Sequence, residues 1–257
     1  MILFFQAALI ILTFVTILWI WSVFIKNASI IDVFWGLGFV SLNVFYASMS
    51  GNLTARKLLV LSLVTIWGLR LAIYLAYRNY GKGEDFRYQE FRKNFGPNRY
   101  WWVSFFQTFL LQAALIMIIS LPLLGIHTST NSGALNALDY LGIFVWTVGF
   151  IFEAGGDYQL MRFQRNLNNK GKVLDRGFWK YTRHPNYFGD AAVWWSYAIF
   201  SIASESYWQI IGAMIMTLLI IKVSGVSLLE KTLKDTKPLY RDYIKKTNSF
   251  LPWFPKK

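Results

Sequence analysis

Hydrogen-bonding and charged side chains are dense in the segment YTRHPNYFGD, Tyr181 to Asp190, which lies between two strongly apolar stretches. Pro185 disfavours helix at the residue before it and suits the first turn of a helix, so a helix is predicted to begin here. The exposed amides of a helix start attract anions, which makes this segment a candidate anion-binding site. Its candidate residues are Arg183, His184, Asn186, Tyr187 and Asp190. The alternative is a segment that only caps the helix.

A second polar cluster, FEAGGDYQLMRFQRN, precedes the first in the chain. Glu153 and Asp157 are four residues apart, so a helix places them on one face, and Arg162 and Arg165 follow. Carboxylates that bind ribose hydroxyls and arginines that bind phosphates are typical of a nucleotide site. The chain has no G-x-G-x-x-G after a strand and no strand pattern, so a nucleotide would bind a helical site rather than a Rossmann fold.

Polar side chains inside apolar segments are costly and usually face the interior of a helix bundle. Asp32 lies at the start of the second apolar segment, in DVFWG. Burial there would keep its carboxyl protonated and able to donate a hydrogen bond, whereas pairing with Lys26 is the alternative. Trp35 follows within one turn and is a candidate wall of a substrate pocket, or else a packing aromatic.

Arg70 lies deep in the third apolar segment, where a cation needs a partner or a water-filled cavity. Tyr74 and Tyr77 follow four and seven residues later, on about the same helix face. A structural salt bridge is the alternative role for Arg70. The loop after this segment, RNYGKGEDFRYQEF, crowds charges around glycines, which suits either phosphate binding or a solvated charge run.

Glu230 is predicted to end the last apolar helix, in SGVSLLEKTL. The tail that follows, KPLYRDYIKKTNSFLPWF, is basic and aromatic, with Tyr240 and Tyr243 three residues apart. The tail is a candidate part of the same polar site, and a segment lying on the membrane surface is the alternative.

The composition is that of a membrane protein. Of 257 residues 55% are hydrophobic and 19% aromatic, and only 15% are charged, against about 25% in soluble domains. The net charge of +13 fits basic cytoplasmic loops better than nucleic-acid binding. With no cysteine and two histidines, disulfides, thiolate catalysis and Cys-ligated metals are excluded, and no metal site is predicted.

Seven segments are predicted to span the membrane, since a bilayer core of about 30 Å needs about 20 apolar residues. They are residues 2–25, 31–49, 56–77, 102–125, 137–154, 191–203 and 208–229. Lysines and arginines number one, six and seven in alternate loops and eight in the tail, which predicts an outside N-terminus and a cytoplasmic C-terminus. The predicted fold class is therefore an all-α, polytopic membrane protein, with residues 1–257 forming a single membrane-embedded domain. Pro122 is expected to kink the fourth helix.

The blocks GDYQLMRFQRN, GFWKYTRHPNYFGD and LLEK, followed by a tail ending SFLPWF, resemble the steroid 5-alpha-reductase family, especially its bacterial members. The resemblance is strongest over residues 139–254 and weaker at WGLR, RNYGKGEDFRY and DVFWG. It implies a seven-helix enzyme, in a bacterial inner membrane, that uses NADPH to reduce the conjugated C=C of a 3-oxo-Δ4 steroid or similar enone lipid. The cofactor would enter from the cytoplasmic side, and the substrate cavity would open to lipid.

On the cofactor side, the resemblance matches Asp157 and Asn186 with polar cofactor contacts, and Asp190 stands where vertebrate members have Glu. Arg162 or Arg165 corresponds to an arginine near phosphate. The remaining positions implied as cofactor contacts are Asn79, Lys82, Lys172, Arg183, His184, Tyr187, Glu230, Tyr240 and Tyr243. Relatives carry His or Glu at the position of Glu230.

On the substrate side, Asp32 aligns with a family Glu that engages the 3-ketone. Trp67 stands where the family has a carbonyl-facing Tyr, so Tyr74 or Tyr77 is the expected substitute, with Trp35, Trp67 and Arg70 lining the substrate site. The implied reaction delivers hydride to the beta carbon of the enone while Asp32, with a tyrosine, polarises the ketone oxygen.

Two alternatives stay open. Membrane methyltransferases that use S-adenosylmethionine and act on isoprenylcysteine or phospholipids carry segments similar to RHPNY. The basic groups of this chain suit a cofactor with several phosphates better than S-adenosylmethionine, which has none. The other alternative is a lipid- or sterol-binding membrane protein that has lost the chemistry.

Overall fold

The computed structural model describes residues 2–131, 133–224, 226, 230 and 239–256, and all regular secondary structure in these ranges is helical. The predicted all-α class is confirmed for this part of the chain. The chain divides into two compact units, Met1–Ala134 (unit 1) and Leu135–Lys257 (unit 2). The single domain over residues 1–257 stays a prediction.

Unit 1 contains three long helices followed by shorter ones. They are α1 (Ile2–Ile25), α2 (Ile30–Ser48), α3 (Ala55–Asn79), α4 (Phe86–Phe95), α5 (Pro97–Ser104), a π-helical turn (Phe105–Leu110), α6 (Leu111–Ile119) and α7 (Leu121–Thr128). α2 and α3 pack closely because glycines face each other. A Cβ added to Gly36 would lie 2.8 Å from the carbonyl oxygen of Gly68, so neither position has room for a side chain.

The fourth predicted span differs from its prediction at both ends. The apolar helix runs over Pro97–Ile119 and stops before Ser120, and α7 then starts a new helix with Pro122 in its first turn. Proline has no amide hydrogen to donate to the preceding turn, so it fits a helix start better than a helix interior. The expected kink inside one long helix at Pro122 is wrong.

Unit 2 is built around two long helices. Its elements are α8 (Ala137–Arg165), 3-10 turns at Leu167–Asn169 and Gly177–Lys180, α9 (Pro185–Ala203), a 3-10 turn at Trp208–Ile210, α10 (Ile211–Leu218), a π-helical turn (Leu219–Ser224) and α11 (Tyr240–Lys246). A capping box starts α8, in which the Asn136 side chain accepts from the amide of Asp139 (3.3 Å) and the Asp139 side chain accepts from the amide of Asn136 (2.7 Å). Close packing of α8 on α9 again uses glycine, since a Cβ on Gly149 would lie 2.7 Å from the carbonyl oxygen of Gly189.

Five helices of the described residues are long and apolar enough to cross a membrane, so the chain is an integral, multi-pass membrane protein. They are Ile2–Ile25, Ile30–Ser48, Ala55–Asn79, Pro97–Ile119 and Ala137–Arg165. α9 lies outside this group, and Trp208–Val223 is a shorter apolar helix. Residues 225 and 227–229 of the predicted seventh span lie outside the described residues. The count of seven spans stays a prediction.

Candidate functional site

The predicted helix start at Pro185 is confirmed. Pro185 is the first residue of α9, and His184 before it has a non-helical backbone. The imidazole of His184 is buried and stacks on the ring of Tyr187, with centroids 5.6 Å apart. Proline therefore sets the entry into α9 and brings His184 and Tyr187 together at its first turn.

Arg183 forms a buried ion pair with Glu230. Its Nε and Nη2 donate to Glu230 Oε1 at 2.9 and 2.6 Å, and His184 Nε2 lies 3.3 Å from the same oxygen. Burial alone would raise the pKa of Glu230, but hydrogen bonds from His184 and Arg183 outweigh it and lower that pKa. Glu230 is thus an anion held beside the start of α9.

The tail folds back onto the segment before α9. The amide of Arg183 donates to the carbonyl of Asn248 (2.9 Å), and Thr182 Oγ1 donates to the carbonyl of Phe250 (2.8 Å). The amide of Trp253 donates to the carbonyl of Tyr181 (2.9 Å). Residues 181–183 and 248–253 therefore form a clasp that fixes the backbone in front of Pro185.

Both tyrosines of α11 are buried in unit 2. The alternative in which the tail lies on the membrane surface is therefore wrong for Tyr240 and Tyr243. The hydroxyl of Tyr243 donates to the carbonyl of Trp179, and the ring of Tyr240 packs against that of Tyr243 at 5.7 Å. Burial raises the pKa of Tyr243, and it raises the pKa of Tyr240 to about 12. Both hydroxyls stay protonated at neutral pH.

Asn186 and Asp157 meet between α8 and α9. Asn186 Nδ2 donates to Asp157 Oδ1 at 3.1 Å, and Asp157 is only 5% exposed. Asn186 Oδ1 is buried and has no hydrogen-bond partner among the described residues. A buried oxygen left unpaired is costly, so it marks a place where a ligand donor fits. Asp190 follows one helical turn after Asn186 and is half-buried.

The predicted basic contacts of unit 2 lie on its surface. Arg162 and Arg165 are exposed in the last turn of α8, and Lys172 is exposed in the connection to α9. They lie in the same unit as the Asn186–Asp157 pair.

In unit 1, Asp32 is the acceptor in a compact polar cluster. Tyr88 OH donates to Asp32 Oδ1 at 2.7 Å, and Arg87 Nη2 donates to Asp32 Oδ2 at 2.8 Å. Arg87 Nε also bonds Asp85 Oδ1 at 2.9 Å. Burial and the nearby Asp32 carboxylate raise the pKa of Tyr88, which keeps its hydroxyl hydrogen in place.

Arg87 and Tyr88 belong to this cluster but are missing from the sequence-based candidates. Asp85 caps α4 by accepting from the amide of Arg87 (3.0 Å), and this places both side chains against α2. Because Asp85 bonds Arg87 twice, the pKa of Asp85 is lowered even though burial alone would raise it. The sequence signal that could have indicated this cluster is the position of Arg87 inside the charged loop RNYGKGEDFRYQEF.

Aromatic side chains connect Trp35 to Trp67. Phe39 packs edge-on against Trp35 (centroids 4.7 Å apart) and also contacts the ring of Trp67 (5.8 Å). Trp67 is fully buried, and the Nε1 hydrogen of Trp35 has no acceptor among the described residues. Trp67 is therefore a packed core residue, and Trp35 has an N–H that can donate to a ligand.

The remaining candidates lie along the second half of α3 and just after it. Arg70 is half-buried, while Tyr77 is 52% exposed. The guanidinium of Arg78 lies 5.6 Å from the ring centre of Tyr74. Asn79 and Lys82 close the turn after α3, where the amide of Lys82 donates to the carbonyl of Asn79 (3.0 Å) and the Lys82 side chain is exposed.

A family model described as "Protein of unknown function (DUF1295)" matches residues 18–247. The chain belongs to the DUF1295 family. The matched DUF1295 region includes every candidate site residue, from Asp32 to Tyr243. A relative from Schizosaccharomyces pombe, uncharacterized protein C594.04c, is 28% identical over 263 residues, covering 92% of this chain and 76% of that protein. No solved structure matches this member of the DUF1295 family.

Proposed function

We propose that this DUF1295 protein is an NADPH-dependent oxidoreductase that reduces the conjugated C=C of a 3-oxo-Δ4 steroid or a similar enone lipid. In this proposal it spans a bacterial inner membrane seven times, with its N-terminus outside and its C-terminus in the cytoplasm. The proposal rests on the resemblance to the steroid 5-alpha-reductase family. The observation that carries it is the buried, unpaired Asn186 Oδ1 beside Asp157 at the start of α9.

The residues of unit 2 fit such a cofactor. NADPH, when bound, supplies a hydride. Asn186 Oδ1 would accept from its carboxamide or amino group, which removes the cost of the unpaired oxygen. The exposed Arg162, Arg165 and Lys172 would hold phosphate groups at the surface of the unit. The Glu230–Arg183 pair would keep the start of α9 in position.

The residues of unit 1 fit the polarisation of a carbonyl. Both oxygens of Asp32 already accept hydrogen bonds, so the donor to a substrate ketone would be Tyr88, whose single hydroxyl hydrogen would turn from Asp32 to the ketone, with Arg87 stabilising the negative charge. Asp32 then acts as a positioning residue that holds Arg87 throughout and holds Tyr88 until the ketone binds. Trp35 Nε1 is a further donor that has no acceptor among the described residues. As enolate charge develops on the oxygen, these groups would stabilise it.

A second candidate is an S-adenosylmethionine-dependent membrane methyltransferase of the isoprenylcysteine or phospholipid type. The observation that favours it is the pair of buried carboxylates on α8, Glu153 at 3% and Asp157 at 5% exposure. S-adenosylmethionine carries a sulfonium and an ammonium, and buried carboxylates stabilise nearby cations.

Calorimetry of the purified protein with NADPH, NADH and S-adenosylmethionine tests both candidates. We expect binding of NADPH in preference to NADH, and Asn186→Leu should weaken it about 10- to 100-fold by removing one buried hydrogen-bonding group. Asn168→Leu, at an exposed position of the same unit, is the matched control and should leave the affinity unchanged.

Binding of S-adenosylmethionine alone would replace the reductase with the methyltransferase. Binding of neither cofactor would leave a lipid- or sterol-binding protein without the chemistry. Equal NADPH affinity in Asn186→Leu and wild type would remove Asn186 from the cofactor site.

A further inference from the structure

Unit 1 contains a cleft of about 490 Å³ at the end of α2 that is farthest from Asp32. It lies where α2 and α7 end and α3 begins, and Met49, Lys57 and His127 are among its lining residues. Because the 19 residues of α2 rise about 1.5 Å each, the cleft is roughly 25 Å from Asp32. Its volume is in the range of about 300–1,000 Å³ that small-ligand sites occupy.

Lys57 supplies positive charge to this cleft. It is only 5% exposed, and its Nζ donates to the carbonyl of Asn52 at 3.2 Å. An ammonium has three hydrogens to donate, so two remain for a ligand. No carboxylate pairs with Lys57 in the part of the chain that the structure describes, although a buried cation is costly without an anion.

His127 supplies a hydrogen-bond acceptor. Its Nε2 lies 2.9 Å from Asn43 Oδ1, while Asn43 Nδ2 faces the carbonyls of Val60 and Leu61 at 3.5 Å each. Nε2 therefore carries the hydrogen, and Nδ1 carries a lone pair. Nδ1 is buried and has no partner among the described residues. Burial and the charge of Lys57 lower the pKa of His127 to about 4, so the ring is neutral at pH 7.

Two hydroxyl groups add further donors. Thr54 Oγ1 accepts from the amide of Lys57 at 3.4 Å, and Ser129 Oγ accepts from the amide of Asn131 at 3.1 Å. Each hydroxyl keeps its own hydrogen to donate. Thr54, Ser129 and Lys57 all line the cleft, so it offers several donors and one positive charge beside the acceptor of His127.

We propose that this cleft binds a monoanionic phosphodiester that carries a hydroxyl group, the chemistry of a phosphoglycerol. One negative charge matches the one lysine, and the two non-bridging phosphoryl oxygens, with the two ester oxygens beside them, can accept from several donors. The hydroxyl donates to His127 Nδ1, a position where the nearby Lys57 charge disfavours an ammonium group. Such a diester occurs both in lipid headgroups and in soluble glycerophosphodiesters.

Calorimetry of the full-length protein in an uncharged detergent tests the proposal with three probes. These are glycerophosphoglycerol, dihexanoyl phosphatidylglycerol and dimethyl phosphate, which has no hydroxyl. Lys57→Met should weaken binding of the hydroxylated diesters about 10- to 100-fold, and Lys57→Arg should restore most of it because the charge remains. Lys93→Met removes an exposed lysine of the same unit and should change nothing.

His127→Gln tests the acceptor. Glutamine can still donate to Asn43 in place of Nε2 but places no lone pair where Nδ1 was, so the preference for glycerophosphoglycerol over dimethyl phosphate should disappear. Binding of the soluble diester, of the lipid or of both supports the site and identifies its source. The proposal fails if wild type binds none of the diesters with a Kd below about 1 mM, or binds dimethyl phosphate as tightly as glycerophosphoglycerol. It also fails if Lys57→Met binds the hydroxylated diesters as tightly as wild type does.

Discussion

Glu84 holds the connection between α3 and α4 onto the turn between α1 and α2, and Glu84→Ala should loosen it. Its carboxylate is 7% exposed and accepts from the amide of Ala28 (2.7 Å) and from Arg92 Nε and Nη2 (3.0 and 2.9 Å). The guanidinium of Arg92 also lies over the ring of Tyr100, 4.6 Å from its centre, so Arg92 contacts both Glu84 and Tyr100.

The expected loss of unfolding free energy in Glu84→Ala has two contributions of different size. An unpaired buried amide at Ala28 costs about 1–3 kcal/mol. The partly exposed Arg92 pair adds about 1 kcal/mol, since solvent screens it. A total of about 2–4 kcal/mol lowers the melting temperature of a chain this size by roughly 5–15 °C.

Tryptophan fluorescence during thermal unfolding in detergent measures this loss, because the chain contains 12 tryptophans. Glu90→Ala is the matched control, since Glu90 is 63% exposed and lies 3.9 Å from Lys93. That variant should melt within about 1 °C of wild type. A Glu84→Ala melting temperature equal to that of Glu90→Ala would show that the carboxylate does not hold this connection.

Two further predictions concern the contacts of Tyr88 and Glu230. Tyr88→Phe removes the 2.7 Å hydrogen bond to Asp32 and should lower kcat/KM for an enone about 100-fold at unchanged NADPH affinity, whereas unaltered turnover would remove Tyr88 from the reaction. The lowered pKa of Glu230 means that its stabilisation is present above the unfolded value of about 4.3 and is lost as pH falls through the folded value. Glu230→Gln should therefore cost about 2 kcal/mol at pH 7 and less at pH 3, measured by thermal unfolding; a pH-independent loss would contradict the pairing with Arg183.

Local patterns predicted the helices well. The apolar pattern predicts a span over residues 2–25, which form α1, and Pro185 predicts a helix start, which the structure confirms. The predicted end of the fifth span is wrong, because a helix can continue beyond the apolar part of its sequence. α8 continues from the predicted end at Ala154 to Arg165. Polar and charged residues such as glutamine and arginine favour the helical conformation as well as apolar ones do, so the helix does not stop where the apolar pattern stops.

The partners of the polar residues could not be predicted, because they lie far apart in the chain. Asp32 bonds Tyr88, which is 56 residues away, and inside a run of charges nothing distinguishes Arg87 from its solvated neighbours. Tyr243 and Trp179 are 64 residues apart. Periodicity reports only the face on which a residue lies, so a pairing of this kind depends on the tertiary packing.

The clasp between residues 181–183 and 248–253 also has a consequence for synthesis. α8 and α9 leave the ribosome well before residues 248–253, which supply the carbonyl groups for Thr182 and the amide of Arg183. Until then the backbone in front of Pro185 lacks these partners, although the helices can already insert into the membrane. The backbone in front of Pro185 is therefore fixed late in translation, and a chain cut before Asn248 would insert without these contacts.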